Sequence, residues 1–269
     1  MLILHDNEFK LFKEFIKKRF GINLSDEKKS LVYSRLRSVV ESRELSSFKD
    51  YYDIIEKDGN GELTKEFVDK ITTNHTFFMR EKEHFEYLKN KVFPYIKEKH
   101  SNTKDIRLWC AACSSGEEAY TLQMLLQDYF GDKNWNLEIL ATDISNTVLN
   151  TAYRGIYTKD DLSVLPIEWQ SKYFNEYDEY HLEAKDVLKK NITFTRFNFI
   201  EDKFSFRKKF QVIFCRNAMI YFDSQTRNTL VNKFYDNMED GGYFFIGQSE
   251  SLSGGDTKFK YVIPAVYKK

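Results

Sequence analysis

Trp109-Cys110-Ala111-Ala112-Cys113-Ser114-Ser115-Gly116-Glu117-Glu118 joins a short apolar run, Ile106 to Cys110, to an amphipathic stretch, Tyr120 to Tyr129. That order reads as a strand, a turn of small residues and a crossover helix. Apolar runs recur at Leu137 to Thr142, Ile192 to Phe197, Gln211 to Cys215 and Tyr243 to Ile246, with another helical stretch at Gln225 to Met238. Strands separated by helices assemble into a mainly parallel sheet, so the expected fold is α/β, a doubly wound Rossmann-like sheet. Phe259 to Ile263, Pro264, then Ala265 to Lys268 reads as a closing antiparallel hairpin. Between Phe174 and Asn198 the alternation lapses into polar sequence with Tyr177, Tyr180 and His181 to Val187. A small β insert near 175–197 or a long loop both fit, and structureless loops of that length are uncommon.

Upstream the apolar spacing is helical, as in Phe9, Leu11, Phe12, Phe15, Ile16 and then Leu31, Val32, Leu36, Val39, Val40. Gly21-Ile22-Asn23 and Asp58-Gly59-Asn60-Gly61 separate the helices, with Ser25 placed to cap one of them. We expect a small all-helical domain over 1–72 and the larger domain over 73–269, opened by a helix from about Glu81 to Lys99 that Pro94 interrupts. Asp58, Asn60 and Glu62 have the spacing of a calcium loop, but Leu63 stands at its obligatory glycine position, so a helix connection is expected there and no metal.

The chain has 269 residues, 42% hydrophobic and 16% aromatic, enough apolar material for one large core and a smaller one. Forty-one basic residues balance 41 acidic ones, which argues against bulk binding of nucleic acid or a membrane surface. No apolar run approaches the ~18 residues of a membrane span, and Met1 to Leu4 runs at once into His5, Asp6 and Glu8, unlike a secretory signal. With Cys110, Cys113 and Cys215 too few for a disulfide framework, a cytoplasmic protein is expected.

In a doubly wound sheet the ligand sits at the carboxyl ends of the strands, and the first turn is the usual cradle. This turn has no GxGxxG, but its Ala, Ser and Gly residues let a ligand approach the backbone. Asp143, at the end of the second run, suits two ribose hydroxyls. Glu117 and Glu118 open the helix where a dinucleotide would place its pyrophosphate, and they would repel it. They suit a ligand without phosphate and with a positive end, as in S-adenosylmethionine. A capping box between Ser114 and Glu117 explains the same residues without a ligand. The Trp109-Cys110-Ala111-Ala112-Cys113 pattern also fits a thioredoxin-like redox site. That fold needs a later proline facing the cysteines, and none lies between Pro94 and Pro166. Zinc would require a second ligand pair.

Four segments together resemble the chemotaxis receptor methyltransferases, the CheR family: Thr72 to Glu81 (TTNHTFFMRE), Trp109 to Glu118, Ala141-Thr142-Asp143-Ile144, and Ile213 to Phe222 (IFCRNAMIYF). Gly247-Gln248-Ser249-Glu250-Ser251 extends the likeness, which runs from about Phe15 to Tyr267; Met79 stands where a second aromatic is usual. The resemblance implies an S-adenosylmethionine site and transfer of its methyl group to glutamate side chains of chemotaxis receptors, with S-adenosylhomocysteine as product. By similarity, Asn74, Thr76 and Arg80 approach the methionine end with Glu117 nearby, Asp143 holds the ribose, and Asn198, Phe199, Arg216 and Asn217 frame the adenine. Singly, each has a plainer explanation: turn formers at Asn74 and Asn198, surface charges at Arg80 and Arg216, core at Phe199.

A glutamate with a pKa of about 4.3 is already ionised at neutral pH, so methyl transfer needs positioning more than a general base. Arg80 and Tyr221 are the donors suited to orient a carboxylate or the reacting end of the cofactor. The resemblance also implies docking to a helical receptor domain, for which Lys28, Lys29, Arg35 and Arg37 offer a basic face, although a solvated helix face explains them equally. Some members of the family bind a receptor-tail pentapeptide through a β insert with a glycine-containing loop. This chain has no glycine between Gly155 and Gly241, so recognition without that tether is expected, by a monomer. A non-catalytic S-adenosylmethionine-binding protein and a methyltransferase with another acceptor are the alternatives.

Overall fold

The computed structural model describes residues 2–131, 134–252 and 257–269. Four helices come first: α1 Asp6–Phe20, α2 Lys29–Ser42, α3 Phe48–Asp58 and α4 Glu62–Ile71. Their apolar stripes meet in one cluster that buries Phe12, Ile16, Leu36, Tyr51, Ile55 and Phe67. Each such side chain contributes roughly 1.5–3 kcal/mol of burial. Glu8 is buried and accepts the backbone N–H of His5 at 2.8 Å and of Lys49 at 2.9 Å, joining the starts of α1 and α3. Asp58 accepts the Thr64 N–H at 2.9 Å, so the polar turn that resembled a calcium loop caps α4. Ser25 does not cap α2; a 3₁₀ turn, Asp26–Lys28, intervenes and the Ser25 side chain makes no capping bond.

The expected helix with a break at Pro94 is α5 Lys82–Tyr87 followed by α6 Phe93–Lys99, and the chain between them, Leu88–Val92, is π-helical. The wider turn absorbs the missing proline N–H without ending the helix. Then come β1 Asp105–Ala111, α7 Glu117–Phe130, β2 Asn136–Asp143, α8 Asn146–Arg154, β3 Ile156–Thr158, α9 Lys159–Leu162, α10 Ile167–Tyr173, β4 Phe174–Glu176, β5 His181–Ala184, α11 Asp186–Lys189, β6 Ile192–Arg196, β7 Phe210–Cys215, α12 Ser224–Asp236, β8 Met238–Ile246, β9 Lys260–Ile263 and β10 Val266–Lys268. The main sheet has the order β6-β2-β1-β7-β8-β10-β9. β6, β2, β1, β7 and β8 are parallel, and β10 pairs antiparallel with β8 and β9, which is the closing hairpin.

Alternate β1 side chains serve different cores: Leu108 and Cys110 join the α7 side, while Trp109 and Ala111 join the α12 side. Trp109 is fully buried among Phe204, Phe206, Phe210 and Phe234, and its indole N–H donates to the Thr142 hydroxyl at 2.9 Å. The polar stretch near Tyr177 is a small antiparallel sheet, ordered β3-β5-β4. It starts earlier than the sequence pattern suggested, because β3 is only three residues long and shows no alternation to read. The chain runs out from β1 to β2 and β6 on one side and to β7 and β8 on the other. The crevice of the switch point therefore lies beyond the carboxyl ends of β1 and β7. Among the described residues no helix is long and apolar enough to cross a membrane.

Candidate active site

A cavity of about 560 Å³ opens at this switch point, within the ~300–1,000 Å³ of small-molecule sites. The sheet supplies residues just past its strands: Ala112 to Ser114 after β1, Asp143 and Ile144 at the end of β2, Phe197 to Phe199 after β6, and Arg216 to Ala218 with Ile220 to Phe222 after β7. The helical layer supplies the opposite wall from Ile22 to Ser25, Lys28 and Leu31, and the connecting segment adds Ile71 to Thr76 and Arg80. Of the residues expected at the site, Asn74, Thr76, Arg80, Asp143, Asn198, Phe199, Arg216, Asn217 and Tyr221 all line it.

The turn after β1 is held under strain. Ala112 and Ser114 have φ of 67° and 49°, each costing roughly 1–2 kcal/mol for a residue with a Cβ. Three bonds retain the conformation: Cys113 N–H to Thr142 O at 2.8 Å, Ser114 N–H to Asp143 Oδ2 at 2.8 Å, and the Ser114 hydroxyl to Asn74 O at 2.8 Å. Met79, Glu81 and Asn217 are also left-handed, so strained backbone gathers around this cavity, as it does at functional sites. Gly116 caps α7 at φ 99°, where a Cβ would stand 2.8 Å from that of Ala152. Asp143 is buried. Its second oxygen accepts the Ser145 N–H at 3.0 Å, and burial raises its carboxyl above the usual range against the pull of these backbone donors. With backbone donors at Ser114, Ser145 and Ile144, the carboxylate's roughly four acceptor sites leave room for a hydroxyl.

The capping box is not formed, since the Ser114 hydroxyl is committed to Asn74. The Glu117 carboxylate accepts from the Ser115 hydroxyl at 2.8 and 2.9 Å, and burial raises its pKa. Glu117 is not among the cavity residues; Glu118 is. Consecutive helical residues point about 100° apart, and it is Glu118 whose side turns to the cavity.

Glu118 is paired within the wall. Its Oε2 accepts from Arg216 Nε at 2.6 Å and its Oε1 from the Cys110 thiol at 3.1 Å. Arg216 is buried, donates from Nη2 to Arg80 O at 2.7 Å and from Nη1 to His84 Nδ1 at 3.0 Å, and lies 5.1 Å from the Phe85 ring centre. It is neither a surface charge nor a free ligand donor: it ties the Thr72 to Glu81 segment to the strand ends. Burial first, then the Arg216 charge, lowers the His84 pKa to about 4, which keeps Nδ1 an acceptor.

Asn198 forms a turn after all, accepting the Ile200 N–H at 2.9 Å, and its amide also donates to Arg19 O at the end of α1 at 2.9 Å. Phe199 packs edge-on to Trp109 and Phe234. Arg80 donates to His75 O at 2.8 Å, and its guanidinium lies 5.8 Å from the Phe77 ring centre. Tyr221 is 37% exposed at the end of a 3₁₀ turn, Met219–Tyr221. Its carbonyl accepts the Asn23 N–H at 2.7 Å beside an Ile22–Phe222 bridge. Sequence reasoning missed this Ile22 to Lys28 wall, because nothing local relates it to a turn some 200 residues away.

The basic face of α2 is largely occupied. Arg35 donates to Ile71 O, to Thr72 O at 2.9 Å and to Thr73 Oγ1 at 3.1 Å, closing the end of α4. Lys29 pairs with Asp6 and Arg37 with Glu41, while Lys28 is exposed along the cavity. The cysteines are buried and burial pushes all three thiols up, the opposite of a redox-active pair.

Residues 7–72 match the family described as CheR methyltransferase, all-alpha domain, and residues 74–267 match CheR methyltransferase, SAM binding domain. The chain is 46% identical over 255 residues to a chemotaxis protein methyltransferase of Borreliella burgdorferi, covering 93% of this chain and 89% of the relative. It is 33% identical over 267 residues to one of Vibrio parahaemolyticus, covering 97% and 95%. Fold, cavity and relatives agree: the chain belongs to the CheR methyltransferase family.

Proposed function

We propose that the protein transfers a methyl group from S-adenosylmethionine to glutamate carboxylates of chemotaxis receptors, giving glutamate methyl esters and S-adenosylhomocysteine. The observation that carries this reading is one cavity shared by Asp143, Glu118 and the Tyr221 turn. The donor set fits the cofactor. Asp143 takes the ribose hydroxyls; Ile144, Phe197 and Phe199 form apolar walls suited to adenine. Glu118, with Asn74 and Thr76, addresses the methionine end. When bound, the cofactor supplies a methyl carbon already activated by its sulfonium. The chain's own part is positioning. Arg80, anchored on His75 O, has remaining N–H groups to orient a carboxylate without a tight pair that would blunt the nucleophile. Tyr221 offers its phenol from the turn after β7. Transfer of labelled methyl to a receptor cytoplasmic fragment tests this: base-labile label is expected, and cofactor binding with no transfer would sink it.

The division into 1–72 and 73–269 is supported by a separate apolar cluster in each part. Receptor docking then falls mainly to Lys28, because Lys29, Arg35 and Arg37 are engaged within the chain. Recognition proceeds without a receptor-tail tether, in the cytoplasm and as a monomer; micromolar binding of a tail pentapeptide would overturn the first of these.

A further inference from the structure

We propose that Glu250 is a positioning residue of the transfer reaction, its buried carboxylate holding the Asn217–Tyr221 turn in the form that faces the cavity. Oε2 of Glu250 accepts the backbone N–H of Asn217 at 3.0 Å and of Gly247 at 2.6 Å, and Oε1 accepts that of Ile220 at 3.1 Å. The Met219 amide is a further backbone donor to it. Glu250 is only 8% exposed, so these amides stand in for water and for a cationic partner. They come from two separate segments, the one after β7 and the one after β8.

The turn's own bonds, Tyr221 N–H to Ala218 O at 3.3 Å and Phe222 N–H to Met219 O at 3.1 Å, leave its earlier amides without a partner inside it. It begins with Asn217 at φ 57° and ends in three residues of 3₁₀ helix, whose first amides have no partner within so short a helix. Glu250 supplies those partners together. The two segments are pressed close: a Cβ on Gly247 would stand 2.5 Å from the Asn217 side-chain nitrogen. Glu81 adds a weaker anchor, accepting from Asn217 Nδ2 and from the Gln248 N–H, both at 3.2 Å. The far end is fixed from the helical layer by the Asn23 N–H on the Tyr221 carbonyl. Glu250 itself does not line the cavity, whereas Asn217, Ala218, Ile220 and Tyr221 do. Its effect on transfer therefore passes through the turn. The inference rests on the reading that this turn addresses the acceptor.

Glu250→Gln keeps the shape but turns an amide NH₂ toward backbone N–H groups; Glu250→Asp keeps the charge and shortens the reach. The assay is turnover of labelled methyl onto a receptor cytoplasmic fragment at saturating S-adenosylmethionine, alongside calorimetric affinity for S-adenosylhomocysteine. Glu250→Gln is expected to lower kcat at least tenfold while the affinity changes less than threefold, with Glu250→Asp recovering part of the rate. A kcat within twofold of the parent overturns the proposal, and so does an affinity loss as large as the kcat loss. If Glu250→Gln does not fold, Glu250→Asp decides alone, lowered kcat at unchanged affinity supporting and unchanged kcat overturning. Tyr221→Phe is run in parallel: full transfer by that variant removes the role of Tyr221, while the split seen for Glu250→Gln still judges Glu250.

Discussion

Glu117 and Glu118 are adjacent and chemically identical, yet the fold gives them different surroundings, and paired glutamine substitutions separate them. Glu118 is the cavity residue and bonds Arg216 at 2.6 Å. In Glu118→Gln the bond loses the negative charge of its acceptor while the guanidinium keeps its own, and weakening a bond of about 1.5–3 kcal/mol toward the about 0.5–1.5 kcal/mol of an uncharged one gives a stability loss of roughly 1–2 kcal/mol. Arg216 keeps Arg80 O and Glu81, 3.5 Å away, so the fold survives. A similar loss against a cationic ligand group weakens its affinity roughly 5- to 30-fold. Glu117→Gln should do neither. Its carboxylate is turned to the Ser115 hydroxyl, and burial already disfavours its ionised form. The amide keeps an oxygen for the Ser115 hydroxyl, so its expected effect is within about 0.5 kcal/mol in stability, the low end for one neutral hydrogen bond, and within threefold in affinity. Calorimetric titration with S-adenosylhomocysteine and urea unfolding measure both. Equal losses, or a larger loss for Glu117→Gln, would refute the assignment.

Tyr221→Phe should lower turnover more than S-adenosylhomocysteine affinity, and parent-level methylation by the variant would end the role given to that phenol. His84 ties stability to pH. Its folded pKa of about 4 lies below the ordinary 6.5, so its contribution is complete above pH 6.5 and drains away as pH falls toward 4. Urea unfolding at pH 7 and 5.5 should show the parent losing about 1 kcal/mol more than His84→Asn, which keeps an acceptor for Arg216; identical slopes would count against it. Gly116→Ala places a methyl 2.8 Å from Ala152 Cβ and 2.9 Å from the Tyr157 hydroxyl at a positive φ, for a cost of about 1–3 kcal/mol in the same unfolding assay; a neutral result would mean the α7 cap relaxes freely.

The alternation of strands and helices, the closing hairpin and the helical front of the chain were legible because they rest on local periodicity, which a tight core enforces residue by residue. So was the character of the cofactor: small residues in the turn after β1, a carboxylate at the end of β2 and acid rather than phosphate-binding backbone at the start of α7. β3 was not legible, because three residues carry no period and its partner β5 lies more than 20 positions away. What tertiary structure alone decided is the use of each polar group. Arg216 is satisfied by Glu118, His84 and the Arg80 carbonyl across up to 136 positions. Arg35, apparently a surface charge, closes a helix end. Burial makes an unpaired polar group costly, so partners are chosen by the packed geometry of the whole chain. The amino-acid order settles which residues are available at the strand ends; folding settles which of them remain for a ligand.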